Sequence, residues 1–166
     1  MKTFLLTLFF GVSSVLAADQ IPNPLIDYPE FQKIVASSAS EREAHRLTEQ
    51  RFVEAMADKK AVLLDARTAS KYELRHIRGA INLPFTDFTA ESLAKVIPAK
   101  DTKILIYCNN NFGGSPVAFA SKAPSASLNI STYTSLRSYG YTNIFELGPL
   151  LDVRTTSIPF EGTEVK

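Results

Sequence analysis

The sequence predicts an α/β domain whose central sheet is mainly parallel and flanked by helices. Residues 61–64 and, after its leading Lys103, the stretch 103–107 form apolar runs of strand length, the pattern of strands buried on both faces. Residues 143–147 supply a further strand, and stretches with helical spacing or helix caps separate the three. Strands alternating with helices favour parallel pairing through crossover connections.

Taken in chain order, Met1 and Lys2 lead into an apolar run from Phe4 to Phe10 and on to Leu16, closed by Ala17. A basic start, a short apolar core and small residues at Val15 and Ala17 predict a secretory signal over 1–17, whereas a spanning helix needs about 20 apolar residues. The expected product is exported, periplasmic in the absence of disulfides, and without a membrane span after cleavage. Residues 18–43 carry Pro22, Pro24 and Pro29 and then Ser37, Ser38 and Ser40, and read as an arm with one short helix over 31–36. Residues 44–166 read as the domain.

Within it, Thr48 is placed to cap a helix whose stripe of Phe52, Val53 and Met56 runs to about Asp58. Asp65 ends the first strand, and a short helix is expected over 69–74. The segment from His76 to Pro84 passes through a Gly79 turn into a brief strand, after which Thr86 or Asp87 caps a helix to Val96. Beyond Cys108 a long connection leads to a helix over 125–138, stopped by Gly140, and the tail from Gly148 reads as irregular.

The chain has 18 basic and 17 acidic side chains, and loss of the signal removes Lys2 alone, leaving the charges balanced. A neutral chain offers neither nucleic acid nor an anionic membrane the basic surface each would select. One cysteine makes no internal disulfide. With that single Cys and with His45 and His76 as the only histidines, no metal-ligand cluster has recognisable spacing, and no cofactor is implied.

The cysteine stands where the run Ile104-Leu105-Ile106-Tyr107 gives way to Cys108-Asn109-Asn110-Asn111-Phe112-Gly113-Gly114-Ser115. In open parallel sheets, ligand sites form beyond the carboxyl ends of the strands. The loop of Asn109, Asn110, Asn111, Phe112, Gly113 and Gly114 is expected to turn backbone N–H groups toward one point, an anion-binding concavity that also stabilises a thiolate. The alternative is an inert core thiol, since free cysteine is among the most buried residue types.

Several separated segments resemble the rhodanese-like family, in the family's order. Leu63-Leu64-Asp65-Ala66-Arg67-Thr68 is similar to its strand ending in Asp-x-Arg, and Lys71-Tyr72-Glu73 through His76-Ile77-Arg78-Gly79-Ala80-Ile81-Asn82-Leu83-Pro84 is close to its Tyr-x-x-x-His-Ile-x-Gly-Ala signature. Residues 104–108 resemble the strand that carries the catalytic cysteine, and 139–148 the closing helix end and final strand. The resemblance implies a sulfurtransferase in which Cys108 takes a sulfane sulfur from a small donor, holds it as a persulfide cradled by the loop amides, and passes it to a thiol or cyanide-like acceptor. It also implies that Asp65 and Arg67 tie loops together beneath the site, while His76 reads as a satisfied turn residue rather than a general base.

The departures are specific. Active members usually close the loop with an arginine or other charged residue, and residues 109–114 hold no charge, so a cation from elsewhere, such as Lys122, would have to serve an anionic donor. The stretch 115–124 exceeds what one loop and one helix require and reads as a lid, a protein-partner surface or a passive surface insertion. Phe112 either shapes a pocket lip or packs inward. A cysteine-loop phosphatase would need an arginine just after Cys108, and none stands there. The rival outside catalysis is a rhodanese-fold binding or redox accessory module that turns over no sulfur.

Overall fold

The structure is a computed structural model, and it describes residues 21–165. The segment read as an export signal lies outside the described residues. The elements are α1 (Tyr28–Ala44), β1 (Arg46–Leu47), α2 (Glu49–Met56), β2 (Val62–Asp65), α3 (Ala69–Leu74), β3 (His76–Ile77), β4 (Ile81–Asn82), α4 (Ala90–Val96), β5 (Ile104–Tyr107), β6 (Phe112–Gly113), α5 (Leu128–Ser138), β7 (Ile144–Leu147), β8 (Leu151–Asp152) and β9 (Phe160–Glu161). Strands β1, β7, β5, β2 and β4 form one sheet in that order, and every pair in it is parallel. Among the described residues no helix is long and apolar enough to cross a membrane.

The apolar runs are continuous because both faces of the sheet are covered. Successive residues of a strand point to opposite faces. Along β2 and β5, Leu63, Leu105 and Tyr107 join Phe52, Phe112, Phe119, Ile158 and Phe160 on one face. On the other, Val62, Leu64, Ile104 and Ile106 meet Leu93, Tyr133, Leu136 and Tyr141. Each layer removes ten large side chains from water, at roughly 1.5–3 kcal/mol per fully buried side chain before chain entropy is subtracted.

Four local expectations differ from the structure. Helix α1 runs through residues 28–44 rather than 31–36: Asp27 caps it, accepting from Glu30 N–H, and the serines continue the helix by back-bonding, Ser38 Oγ donating to Ile34 O at 2.6 Å. Its last turn is held to the domain by Arg42 on Glu146 and by Glu41 on Arg137. Helix α4 begins beyond Thr86 and Asp87, because residues 85–87 close a 3₁₀ turn first. Thr89 then caps the helix, its hydroxyl accepting from Ser92 N–H at 3.1 Å while Ser92 Oγ accepts from Thr89 N–H. A similar turn over Pro124–Ala126 delays α5 to Leu128.

The fourth difference is the tail. It is ordered, with β8 beside β6 and β9 antiparallel to β3, and it inserts Ile158 and Phe160 into the core. Gly162 permits this return: its φ is +128°, and a Cβ there would lie 2.4 Å from Leu74 O. Such two-residue strands carry no periodicity to read, so only their distant partners define them.

Candidate active site

Tyr107 and Cys108 are adjacent at the carboxyl end of β5, and the alternation of the strand sends them to opposite sides. Tyr107 enters the face of Phe112 and Phe119. There its hydroxyl donates to Asp65 Oδ2 at 2.5 Å and accepts from Ile77 N–H at 3.1 Å. Burial, reinforced by the charge of Asp65, pushes the phenol well above its ordinary value. Arg67 completes this centre. It is 2% exposed, binds Asp65 through Nε and a terminal nitrogen, donates to Ala118 O and Arg75 O, and lies 4.3 Å from the Phe119 ring centroid. His76 stacks on Tyr72 at 3.7 Å, with Nδ1 2.8 Å from Tyr72 O. Asp65, Arg67 and His76 therefore stitch β2, β3 and the segment after β6 together, on the side away from the thiol.

Cys108 faces the other way and is 1% exposed. Its sulfur is not sealed among aliphatic side chains: Sγ lies 3.4 Å from Ser127 Oγ and accepts from Asn110 N–H at 3.4 Å. A polar pocket of about 110 Å³ adjoins it, lined among others by Arg42, Arg46, Ser127, Asn129 and Glu146. Asn129 is 5% exposed, and its Oδ1 has no hydrogen-bond partner among the described residues.

Of the loop amides expected around the sulfur, one N–H contacts Sγ itself. Asn110 N–H reaches the sulfur. Asn111 N–H is spent on Cys108 O, and Cys108 N–H on Asn111 Oδ1 at 2.8 Å, because residues 109–111 close a 3₁₀ turn. Beyond it Phe112 packs inward, 4.8 Å from Phe119 and 5.0 Å from Phe160 between ring centroids, and Gly113 pairs with Asp152. Gly114 has φ +84°, and a Cβ there would stand 2.7 Å from Asp152 Oδ1.

The three asparagines do different work. Asn111 Nδ2 ties the loop to Leu147 O, at the end of β7, and to Pro149 O just past it. Asn110 and the Lys122 backbone exchange hydrogen bonds, at 2.8 and 3.0 Å. Asn109 turns to a second, larger cavity of about 330 Å³ beside Thr68, Lys71, Phe85 and Leu128, and Lys122 lines that cavity rather than the cysteine pocket. Lys122 is thus not the cation beside the sulfur. Nor is 115–124 a loose insertion: Ala118 and Phe119 are core residues, and Ser115 Oγ donates to Glu164.

The cations beside Cys108 come from α1 and β1. Arg42 Nη2 lies 2.7 Å from Glu146 Oε1, and Arg46 Nε lies 3.4 Å from the same oxygen. Burial raises the Glu146 pKa above its ordinary value, and the two arginines offset this only in part. The sequence held a signal for this centre: a glutamate within Ile144-Phe145-Glu146-Leu147 has to find a cation once the strand is buried. Its partners lie 104 and 100 positions away, beyond the reach of local pattern.

The comparisons agree with this architecture. The match to the thiosulfate sulfurtransferase PspE of Escherichia coli (strain K12) is 35% identical over 46 residues, 28% of this chain and 43% of PspE, so it spans less than half of that relative. Among solved structures, the Alr3790 protein from Anabaena sp. covers the fold at a TM-score of 0.50 and 22% identity, across 72% of this chain and 94% of that one. The model for the rhodanese-like domain matches residues 48–148, from the cap of α2 to the end of β7, and so takes in β5, Cys108 and the Asp65–Arg67 centre. On that match, which extends over more than half its length, the chain belongs to the rhodanese-like domain family.

Proposed function

We propose that this chain is a sulfurtransferase that carries sulfane sulfur as a persulfide on Cys108. The observation that carries the reading is the setting of Sγ: at the carboxyl end of a central parallel strand, touched by one backbone N–H and one hydroxyl, beside a polar pocket edged by two arginines. In the first half-reaction the Cys108 thiolate attacks the outer sulfur of a donor such as thiosulfate. A Cys–S bond to that sulfur forms, the donor's S–S bond breaks, and sulfite leaves with the electron pair. In the second, a thiolate or cyanide attacks the outer sulfur and takes it, and the cysteine thiolate is regenerated. Asn110 N–H and Ser127 Oγ are placed to donate to the sulfur anion in both resting states. Export to the periplasm, on the signal read at 1–17, belongs to the same proposal, and N-terminal sequencing of the mature protein checks it.

Incubation with thiosulfate, a thiosulfonate or a polysulfide is expected to add one sulfur mass to the folded protein, removable by cyanide or thiol and absent in Cys108→Ser. A second reading, a binding module without turnover, is favoured by the near-complete burial of the thiol and the single amide at its sulfur. A mass unchanged by every donor decides for that module.

A further inference from the structure

We infer that Arg42, supplied by the N-terminal helix α1 from outside the matched domain, is the anion-recognition residue of the Cys108 pocket and gives it a preference for oxyanion sulfur donors. The inference rests on the persulfide reading of the same site and goes beyond it by naming what recognises the donor's charge.

The loop after Cys108 holds no charged side chain, so the cation must arrive from elsewhere in the fold. Residues 48–148 carry the family match, and Arg42 and Arg46 both precede it. Helix α1 continues about two turns past the expected end at residue 36, which brings Arg42 into it, and its contacts with α5 and β7 hold that last turn beside the Cys108 pocket. Arg42 keeps 29% of its side chain accessible and lines the pocket with Cys108, Ser127 and Asn129. Its Nε is buried and donates to nothing among the described residues. The buried Nε is closed to the pocket, so it is the accessible remainder of the guanidinium that an acceptor beside Cys108 would meet, through charge-assisted hydrogen bonds.

Glu146 explains how two arginines sit side by side at one pocket. Its carboxylate is 2% exposed and contacts both, and burial already works against its charge. It acts as a resident counter-ion that an incoming dianion displaces in part, leaving Arg42 shared between carboxylate and donor. Arg46 is also held by Glu43 at 3.1 Å and by Gly148 O, whereas the only carboxylate that holds Arg42 among the described residues is Glu146. The planar guanidinium suits the trigonal face of a sulfonate oxygen set, which it can engage through two N–H groups.

The experiment compares sulfur loading of Cys108 by thiosulfate, a dianion, with loading by a neutral organic trisulfide, in the full chain. Arg42→Gln is expected to raise KM for thiosulfate about tenfold or more while the neutral donor changes by less than about twofold, because one charge-assisted contact is lost. Arg42→Lys restores part of the thiosulfate preference, and Glu146→Gln, which removes the counter-ion, lowers the thiosulfate KM. The opposite signs keep the test decisive should Arg42→Gln fold poorly by circular dichroism. Equal losses for both donors, or an unchanged thiosulfate KM, overturn the inference while leaving persulfide chemistry standing. Should no donor load Cys108, calorimetric titration with sulfate at low salt tests recognition alone: binding lost in Arg42→Gln sustains it, and no binding to the unsubstituted protein overturns it.

Discussion

Two arginine–carboxylate centres flank the end of β5, and they differ in everything except composition. Arg67 and Asp65 lie on the Tyr107 side, 2% and 0% exposed, and the guanidinium spends its nitrogens on Asp65, Ala118 O and Arg75 O. Arg42, Arg46 and Glu146 lie on the Cys108 side, where an arginine Nε and a neighbouring amide oxygen have no hydrogen-bond partners among the described residues and the cations stay in reach of solvent. The first centre is closed and holds strands together. The second is built of the same groups but left incomplete, which is what a pocket for a charged ligand requires.

The largest effect that can break this comparison is on stability. Arg67→Met leaves Asp65 as a buried carboxylate without its cation, and removal of one partner from such a pair costs about 3–5 kcal/mol. Urea unfolding should show that loss, and Asp65→Asn added to Arg67→Met should recover part of it, because the stranded charge is then gone. A loss under about 1 kcal/mol for the single variant would place this centre with ordinary surface pairs. Tyr107→Phe is the smaller test. It removes the donor to Asp65 and strands the buried Ile77 N–H, an expected cost of about 1–3 kcal/mol by the same measurement.

The closed centre was legible in the sequence and the open one was not. Asp65 and Arg67 are two positions apart and end a strand whose apolar run announces itself, so local pattern and family resemblance converge on them. Cys108 was legible for the same reason, as the residue at a strand exit. The loop behind it was misjudged because Asn109, Asn110 and Asn111 look equivalent in sequence, whereas a tight 3₁₀ turn assigns them to a cavity, to Lys122 and to β7. Arg42 is not legible because the serines after Ala36 favour ending the helix locally, and tertiary contacts with α5 and β7 override that weak preference.

The finest distinction between the centres is their response to pH. Burial raises the Glu146 pKa above its ordinary value of 4.5 despite Arg42 and Arg46, with Glu43 adding to the rise. A carboxyl whose folded pKa exceeds its unfolded one contributes stability that is complete below the unfolded value and is withdrawn as pH rises through the folded value. Glutamine has no proton to lose. The melting temperature of Glu146→Gln relative to the unsubstituted protein should therefore climb from about pH 4 to about pH 7, in the variant's favour. A flat difference across that range would mean that the two arginines fully offset the burial of Glu146. The carboxylate would then be as well satisfied as Asp65, and a dianion entering beside Cys108 would have to compete with a complete ion pair rather than finish a partial one.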